Sequence, residues 1–159
     1  MRRVLVIDDT EELRAVIAAT LCHAGYAVRQ ADNGRNGILL ALSQRPDLIL
    51  CDVRMPEMDG YRTLAAIRGC HSTAAIPFIL MTGSTDRDEF RRGMVCGADD
   101  YLMKPFTGRE LLDAVKSRLE RQADLQIQVF QTVGFQPFQG IAGSSAESVP
   151  VSVDFAVAG

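Results

Sequence analysis

Acidic side chains follow directly after two short apolar runs of the sequence, where their carboxylates could do chemistry. Val4–Ile7 leads into Asp8 and Asp9, and the run 48–51 ends in Asp52. Apolar runs of this length, bounded by proline or by charge, are typical of strands buried on both faces. A carboxylate at the end of such a strand lies at the sheet edge where open α/β folds bind ligands. Taken singly, each acid could equally cap a helix or end a strand in solvent.

Two further apolar runs end in groups that can contact an anion. Phe78–Met81 leads into Thr82 and Gly83, and the run 100–103 leads into Lys104. Lys104 is one of two lysines in a chain that has 15 arginines. Because an ammonium is a compact point charge and a guanidinium a planar fork, this choice indicates a site that needs a lysine.

These groups are predicted to share one cleft, because the carboxyl ends of parallel strands meet at one edge of a sheet. Three carboxylates brought together repel one another unless a cation or a proton lies among them. Oxygen ligands without histidine or cysteine suit Mg²⁺. A metal, a carboxylate and an ammonium together describe a phosphoryl-transfer site, in which one carboxylate can form an aspartyl phosphate.

The elements that must position these groups alternate five times between strand and helix. The strands are predicted at 4–7, 26–31, 48–51, 78–81 and 100–103. Helices are predicted at about 10–23, 59–69, 86–96 and 108–121, and a further helix follows the turn at Asn33-Gly34 and ends at Ser43. Thr107 is predicted to cap the last helix. This alternation predicts an α/β fold with a parallel sheet, helices on both faces and right-handed crossovers.

The charges divide the chain into two segments. All lysines and arginines lie in residues 1–121, which are formally neutral, while residues 122–159 carry the whole net charge of −3. We therefore predict a domain at 1–121 and a tail or linker at 122–159. The net charge of −3 gives no excess of positive charge that would attract a nucleic acid, and the tail has no basic recognition helix. No nucleic-acid binding is therefore expected within this chain.

The N-terminal segment bears on location. Its basic residues precede only four apolar ones before Asp8, which is too short for a signal peptide or a membrane span. A soluble cytoplasmic protein without membrane contact is expected.

The tail permits two interpretations. Apolar residues fall at alternate positions around Ile127–Phe135 and more strictly over Val149–Val157, which is a strand signal. Two strands there would form a hairpin, which is marginal alone and would need the exposed edge of the predicted sheet or a second protomer to cover it. The alternative, which we prefer, is a last helix that continues to about Phe130 and is followed by a disordered end.

The motifs, taken in order, resemble the receiver domain of two-component response regulators, the family of the single-domain chemotaxis regulator. The resemblance covers about residues 1–121 and rests on Asp8-Asp9, on Asp52 with Met55-Pro56 and Met58-Asp59-Gly60, on Thr82-Gly83, and on Tyr101 through Lys104-Pro105-Phe106. It implies a flavodoxin-like (βα)5 doubly wound sheet with strand order 2-1-3-4-5.

The resemblance also implies the roles of the acids. Asp52 would accept phosphate from a phosphohistidine on a sensor histidine kinase or a histidine phosphotransfer protein. Asp9, supported by Asp8, would bind Mg²⁺ together with Asp52 and the backbone carbonyl of Arg54. The protein would then be a signalling switch and not an enzyme, although it would assist its own phosphorylation and dephosphorylation.

The remaining motif residues would detect the phosphate. By resemblance, Lys104 contacts the phosphoryl oxygens, Thr82 with Gly83 moves in to bond them, and Tyr101 turns inward behind. This reshapes the face made by the fourth helix, fifth strand and fifth helix for a downstream protein target. Pro105 would hold a structural cis bond after Lys104. A homodimer remains open.

Of four alternatives, the sequence argues against the first two. A haloacid-dehalogenase-like phosphatase would need a second aspartate two residues after the nucleophile, where this chain has Arg54. A flavin-binding electron carrier would need a Ser/Thr/Gly phosphate loop after the first strand, where Asp8 and Asp9 stand. The others are a receiver-like interaction scaffold that has lost phosphorylation and a truncated receiver of a larger regulator.

Overall fold

The computed structural model describes residues 1–83 and 87–133, and in these ranges strands and helices alternate as predicted. The elements are β1 (Arg3–Ile7), α1 (Glu11–His23), β2 (Ala27–Ala31), α2 (Gly34–Gln44), β3 (Leu48–Asp52), α3 (Gly60–Gly69), β4 (Phe78–Thr82), α4 (Arg87–Val95), β5 (Asp100–Met103) and α5 (Gly108–Thr132). None of the helices in these ranges combines the length and the apolar character that crossing a membrane requires.

The sheet is parallel, with the strand order β2-β1-β3-β4-β5. This confirms the flavodoxin-like order 2-1-3-4-5. The register places Ile7 beside Cys51 and Asp52 beside Met81. The residues at the carboxyl ends of β1, β3 and β4 therefore lie next to one another, as the sequence predicts.

Two apolar layers cover the sheet, because successive side chains of a strand point to opposite faces. Leu5 and Ile7 pack on the side of α2 and α3, whereas Val4 and Val6 pack on the side of α1 and α5. All five residues of β3 are buried, and so are those of β4. These two strands carry Asp52 and Thr82, so the groups they present are anchored in the most enclosed part of the domain.

The last helix is longer than predicted. The end at residue 121 is wrong, since α5 continues to Thr132, and the preferred alternative of a helix to about Phe130 is confirmed. The strand signal is wrong over Ile127–Val133, because Leu125, Val129 and Val133 also recur at the i, i+4 spacing of a helix. Val149–Val157 lies outside the described residues. The helix crosses residue 121, and the division into a domain and a tail there remains a prediction.

The predicted cap of α5 is confirmed as a capping box. The Thr107 Oγ1 accepts from the Glu110 backbone N–H at 3.2 Å, and the Glu110 carboxylate accepts from the Thr107 backbone N–H at 2.7 Å. Both bonds satisfy backbone donors that would otherwise lack a partner at the helix start. The Thr107 backbone N–H and the Thr107 hydroxyl, which donates to the same carboxylate at 2.9 Å, together hold the pKa of Glu110 below its ordinary value.

We expect Thr107→Ala to lower the free energy of unfolding by about 1 kcal/mol, because the first turn of α5 loses its cap. Urea unfolding followed by circular dichroism measures this difference. Ser117→Ala, at an exposed position within α5, is the matched control and should change stability by less than about 0.5 kcal/mol. Equal effects of the two substitutions would contradict the cap.

Candidate functional site

Three carboxylates meet where β1 and β3 end. Ligand oxygens of Asp8, Asp9 and Asp52 lie within 4.8 Å of one another. Asp8 and Asp52 are buried, while Asp9 is exposed at the mouth of the cluster. The sequence prediction that these acids share one cleft is therefore confirmed by the geometry.

Asp8 is held by backbone and side-chain contacts around the start of α1. Its Oδ1 accepts from the Thr10 backbone N–H at 2.8 Å, and its backbone N–H donates to the Ala31 carbonyl at 3.1 Å. The Arg14 guanidinium donates to the Asp8 carbonyl at 2.6 Å. Arg14 was not predicted from the sequence, although it is a basic residue in the first helix, six positions after Asp8.

Asp52 is fixed by the loop that follows β3. The Val53 backbone N–H donates to the Met81 carbonyl, and the Gly60 N–H donates to the Val53 carbonyl, both at 2.9 Å. Gly60 lies so close that a Cβ there would overlap the Asp52 carbonyl oxygen. Asp59 caps α3 by accepting from the Arg62 N–H at 2.8 Å. Asp59 and Gly60 thus begin α3, and Gly60 also packs directly against the backbone of Asp52.

Lys104 bridges two of the three acids. Its Nζ donates to Asp52 Oδ1 at 2.7 Å and to Asp8 Oδ2 at 3.1 Å. Its backbone N–H donates to the Thr82 carbonyl at 2.7 Å, and the bond to Pro105 is cis, as the resemblance implies. The ammonium therefore lies at the position where a cation relieves the repulsion among the carboxylates.

For both Asp52 and Lys104, burial and the contact between the carboxylate and the ammonium shift the pKa in opposite directions. Burial raises the pKa of Asp52, and the charges of Asp8 and Asp9 add to this, so that the pKa stays raised despite the Lys104 ammonium. Burial lowers the pKa of Lys104, but its bonds to Asp52 and Asp8 outweigh burial and leave it raised. A carboxyl whose pKa is raised by folding costs stability as the pH rises through that pKa. The ionised cluster is therefore a place where more positive charge would stabilise the fold.

The donor set fits Mg²⁺. Asp8, Asp9 and Asp52 offer carboxylate oxygens with no histidine or cysteine among them, and Lys104 neutralises one of three negative charges. The exposed position of Asp9 leaves the cluster accessible to water, and Mg²⁺ in proteins usually keeps several of its waters.

The other predicted residues lie around this cluster. Thr82 is buried at the end of β4, next to the exposed Gly83, and Arg54 lies in the β3–α3 loop with an exposed side chain. Tyr101, on β5, is half-buried, and its ring centroid is 4.7 Å from that of Phe90 on α4. Its hydroxyl packs against Gly93 so closely that a Cβ there would overlap it. The structure thus places Tyr101 beneath α4.

Comparison with known proteins agrees with this geometry. Residues 4–116 match the model of the response regulator receiver domain. The chain is 38% identical over 121 residues to a DNA-binding dual master transcriptional regulator, RpaA, of Synechocystis, covering 76% of this chain and 50% of RpaA. It is 33% identical over 138 residues to the transcriptional regulatory protein GltR of Pseudomonas aeruginosa, covering 87% of this chain and 57% of GltR.

Solved structures show the same fold. The chemotaxis protein CheY4 of Vibrio cholerae superposes with a TM-score of 0.72 at 33% identity, covering 74% of this chain and 98% of that one. The receiver domain of the sensor histidine kinase PA1611 of Pseudomonas aeruginosa, with magnesium coordinated in its active-site cleft, has a TM-score of 0.70 at 30% identity, covering 75% and 98%.

The chain spans about half the length of these two transcriptional regulators. The family match, residues 4–116, includes Asp8, Asp9 and Asp52 and ends within α5. The chain belongs to the family of receiver domains of two-component response regulators.

Proposed function

We propose that this receiver accepts a phosphoryl group on Asp52 from a sensor histidine kinase or a histidine phosphotransfer protein, with Mg²⁺ as the cofactor. The observation that carries the proposal is the cluster of Asp8, Asp9 and Asp52 with the Lys104 ammonium bonded to two of them. Family membership supports the same assignment.

Asp52 is the nucleophile in this proposal. A carboxylate oxygen of Asp52 forms a bond to phosphorus while the bond from phosphorus to the donor's imidazole nitrogen breaks, and the imidazole leaves with that electron pair. Asp8, Asp9, Asp52 and the Arg54 carbonyl would hold Mg²⁺, which would neutralise charge on the phosphoryl oxygens. Lys104 is already bonded to Asp52, and it moves from carboxylate to phosphoryl oxygen as the charge develops.

The switch follows from the new charge at Asp52. A phosphoryl group recruits hydrogen-bond donors, and Thr82 with Gly83 lies on the neighbouring strand end. We propose that Thr82 moves to the phosphate and that Tyr101 follows, changing its packing against Phe90 on α4. The surface formed by α4, β5 and α5 would then present a different shape to a downstream protein target.

The protein acts on no other substrate in this proposal, and it assists only its own phosphorylation and dephosphorylation. Arg54 stands where a haloacid-dehalogenase-like phosphatase has its general acid, and a guanidinium does not give up a proton at working pH. Residues 1–121 would be the switch and 122–159 a tail or linker. A cytoplasmic location, as expected for a partner of a kinase that uses ATP, belongs to the same proposal.

Beryllofluoride with Mg²⁺ tests the acceptor and the switch together. We expect it to bind the protein only when Mg²⁺ is present and to shift the ring resonances of Tyr101 in nuclear magnetic resonance spectra. Thr82→Ala should still bind beryllofluoride, but it should leave Tyr101 in its resting position. A protein that binds none is an interaction scaffold, and an unchanged Tyr101 response in Thr82→Ala would contradict the coupling.

Removing one metal ligand should reduce the stabilisation by Mg²⁺ without disrupting the fold. We expect Asp9→Asn to lose most of the stabilisation that millimolar Mg²⁺ gives the native protein, because a carboxylate ligand is lost. Without Mg²⁺ the variant should be as stable as the native protein or slightly more so, since one repelling charge is gone. Thermal unfolding with and without Mg²⁺ measures both effects. Asp32→Asn is the exposed control outside the cluster, and a wild-type Mg²⁺ response in Asp9→Asn would count against the site.

A place in a longer regulator is the second candidate. The observation that favours it is the coverage, since the chain matches about half of RpaA and GltR, which are transcriptional regulators. In that case the switch would act on an attached output segment, and DNA binding would belong to that segment.

A further inference from the structure

Arg14 is a half-buried cation beside the acid cluster, and the proposed phosphoryl transfer assigns it no role. It is the fourth residue of α1, and its guanidinium donates to the Asp8 carbonyl at 2.6 Å. A positive charge in the first turn of a helix is unfavourable, because the positive end of the helix dipole lies there. Helix stability therefore does not explain this arginine. What its contact holds is the backbone between two of the acids.

The carbonyl that Arg14 contacts belongs to the peptide bond that joins Asp8 to Asp9. Because the atoms of a peptide unit lie in one plane, a group that fixes its oxygen also fixes the direction in which the chain reaches the Cα of Asp9. The preceding peptide is held as well, since the Asp8 N–H donates to the Ala31 carbonyl at 3.1 Å. The backbone is thus anchored on both sides of Asp8.

Asp9 depends on this anchoring more than the other two acids do. The Asp8 carboxylate accepts from the Thr10 N–H at 2.8 Å and from Lys104 at 3.1 Å, and the Asp52 carboxylate accepts from Lys104 at 2.7 Å. Asp9 is exposed at the mouth of the cluster. The direction of its carboxylate is therefore set mainly by the peptide that Arg14 holds.

The charge of Arg14 and its geometry have opposite effects on a bound cation. Like charges repel, so the guanidinium charge by itself would weaken Mg²⁺ binding. Its bond goes to a neutral carbonyl, however, and leaves the Asp9 carboxylate oxygens available to a metal. Groups that orient metal ligands typically change metal affinity by about ten- to a hundredfold. The two effects predict changes of opposite sign, which makes them separable by experiment.

We propose that Arg14 is a positioning residue for Mg²⁺. It holds the Asp8–Asp9 peptide so that the Asp9 carboxylate is directed at an ion shared with Asp8 and Asp52. This inference rests on the proposed function, and in it Arg14 contacts neither the ion nor the phosphoryl group. Arg14 therefore acts on Mg²⁺ affinity and affects phosphorylation only through that affinity.

Titration with Mg²⁺, followed by amide resonances in nuclear magnetic resonance spectra, tests the proposal on the unphosphorylated protein. We expect Arg14→Met, which removes the guanidinium and keeps the aliphatic stem, to raise the Kd for Mg²⁺ about tenfold. Arg121→Met removes an exposed guanidinium of α5 and should bind Mg²⁺ as the native chain does. An arginine that only supported the fold would lower the unfolding temperature equally with and without Mg²⁺ and would leave the Kd unchanged.

An unchanged or lower Kd in Arg14→Met overturns the proposal, and a lower Kd would mean that only the charge of Arg14 matters. In either case native Mg²⁺ binding and phosphorylation would leave the proposed function standing. A native chain that binds no Mg²⁺ would overturn the proposed metal site and this inference together.

Phosphorylation by acetyl phosphate separates a role through Mg²⁺ from a direct one. We expect Arg14→Met to be labelled more slowly than the native chain at limiting Mg²⁺ and at the native rate at saturating Mg²⁺. A deficit that persists at saturating Mg²⁺ would mean that Arg14 contacts the phosphoryl group, which overturns a role confined to positioning.

Chemical rescue tests the contact itself. Arg14 lines an open recess of about 640 Å³ together with Asp32 and Asn36, so that Arg14→Ala leaves a path from solvent to the Asp8 carbonyl. We expect guanidinium chloride at about 20 mM, far below the molar concentrations that unfold proteins, to restore much of the Mg²⁺ affinity of Arg14→Ala. Sodium chloride at the same concentration should not. No rescue of Arg14→Ala, or equal rescue of Asp9→Asn, overturns the proposal.

Discussion

Asp52→Asn is expected to abolish phosphorylation by acetyl phosphate and Mg²⁺, whereas the native protein should gain one base-labile phosphate. The physical reason is nucleophilicity, since an amide oxygen carries no charge with which to attack phosphorus. The variant should still fold, because asparagine matches the shape of aspartate and the sheet around it is apolar on both faces. Intact-mass spectrometry before and after mild alkali measures the loss.

Asp32→Asn is the control for this prediction, since Asp32 is exposed and lies outside the cluster. It should take up phosphate at the native rate. If Asp52→Asn is labelled as well as this control, Asp52 is not the acceptor. Residual labelling of Asp52→Asn at a much lower level, with the phosphate located on Asp8 or Asp9 by peptide mass spectrometry, would contradict the assignment of a single acceptor.

The sequence predicted the cluster because topology alone brings it together. Asp8, Asp52 and Lys104 end three different strands, and in a parallel sheet those ends must share an edge, whatever the loops do. The prediction required only that each strand be identified, and runs such as Val4–Ile7 are clear strand signals. The bridging of Asp8 and Asp52 by the lysine then follows from charge.

The end of α5 was harder to predict, because helix and strand spacings overlap in a short segment. Ile127 and Val129 fit a strand, whereas Leu125, Val129 and Val133 fit a helix equally well. The choice depends on what precedes the segment, and a helix already begun at Thr107 extends at less cost than a strand forms without a partner. Such non-local effects are absent from a short window of sequence.

Tyr101 shows a different limit. Its motif position predicted a role in the switch, but the sequence does not give a side chain's resting contacts. In the structure the ring packs against Phe90, and the hydroxyl fits against Gly93, where any larger residue would overlap it. Gly93 was not singled out from sequence, because a glycine within a helix pattern gives no sign of which side chain lies above it.

Gly60 is the position at which we expect the largest loss of stability. A Cβ there would meet the Asp52 carbonyl oxygen, with Val53 Cα at 2.9 Å and Asp52 C at 3.1 Å. All three atoms are backbone, so no side chain can rotate away, and either β3 or the start of α3 must move. Overpacking of this kind costs about 1–3 kcal/mol, and we expect Gly60→Ala to fall at the upper end of that range.

Gly69→Ala, at the other end of the same helix, provides the matched control. A Cβ at Gly69 has nothing within 4 Å, so alanine there should leave stability unchanged or raise it by about 0.5 kcal/mol through its better helix propensity. Urea unfolding of both variants measures the difference. Since the displaced atoms carry Asp52, Gly60→Ala should also slow phosphorylation by acetyl phosphate, whereas Gly69→Ala should not. If both alanines are tolerated equally, then the close packing of α3 against the acceptor strand does not hold Asp52 in place.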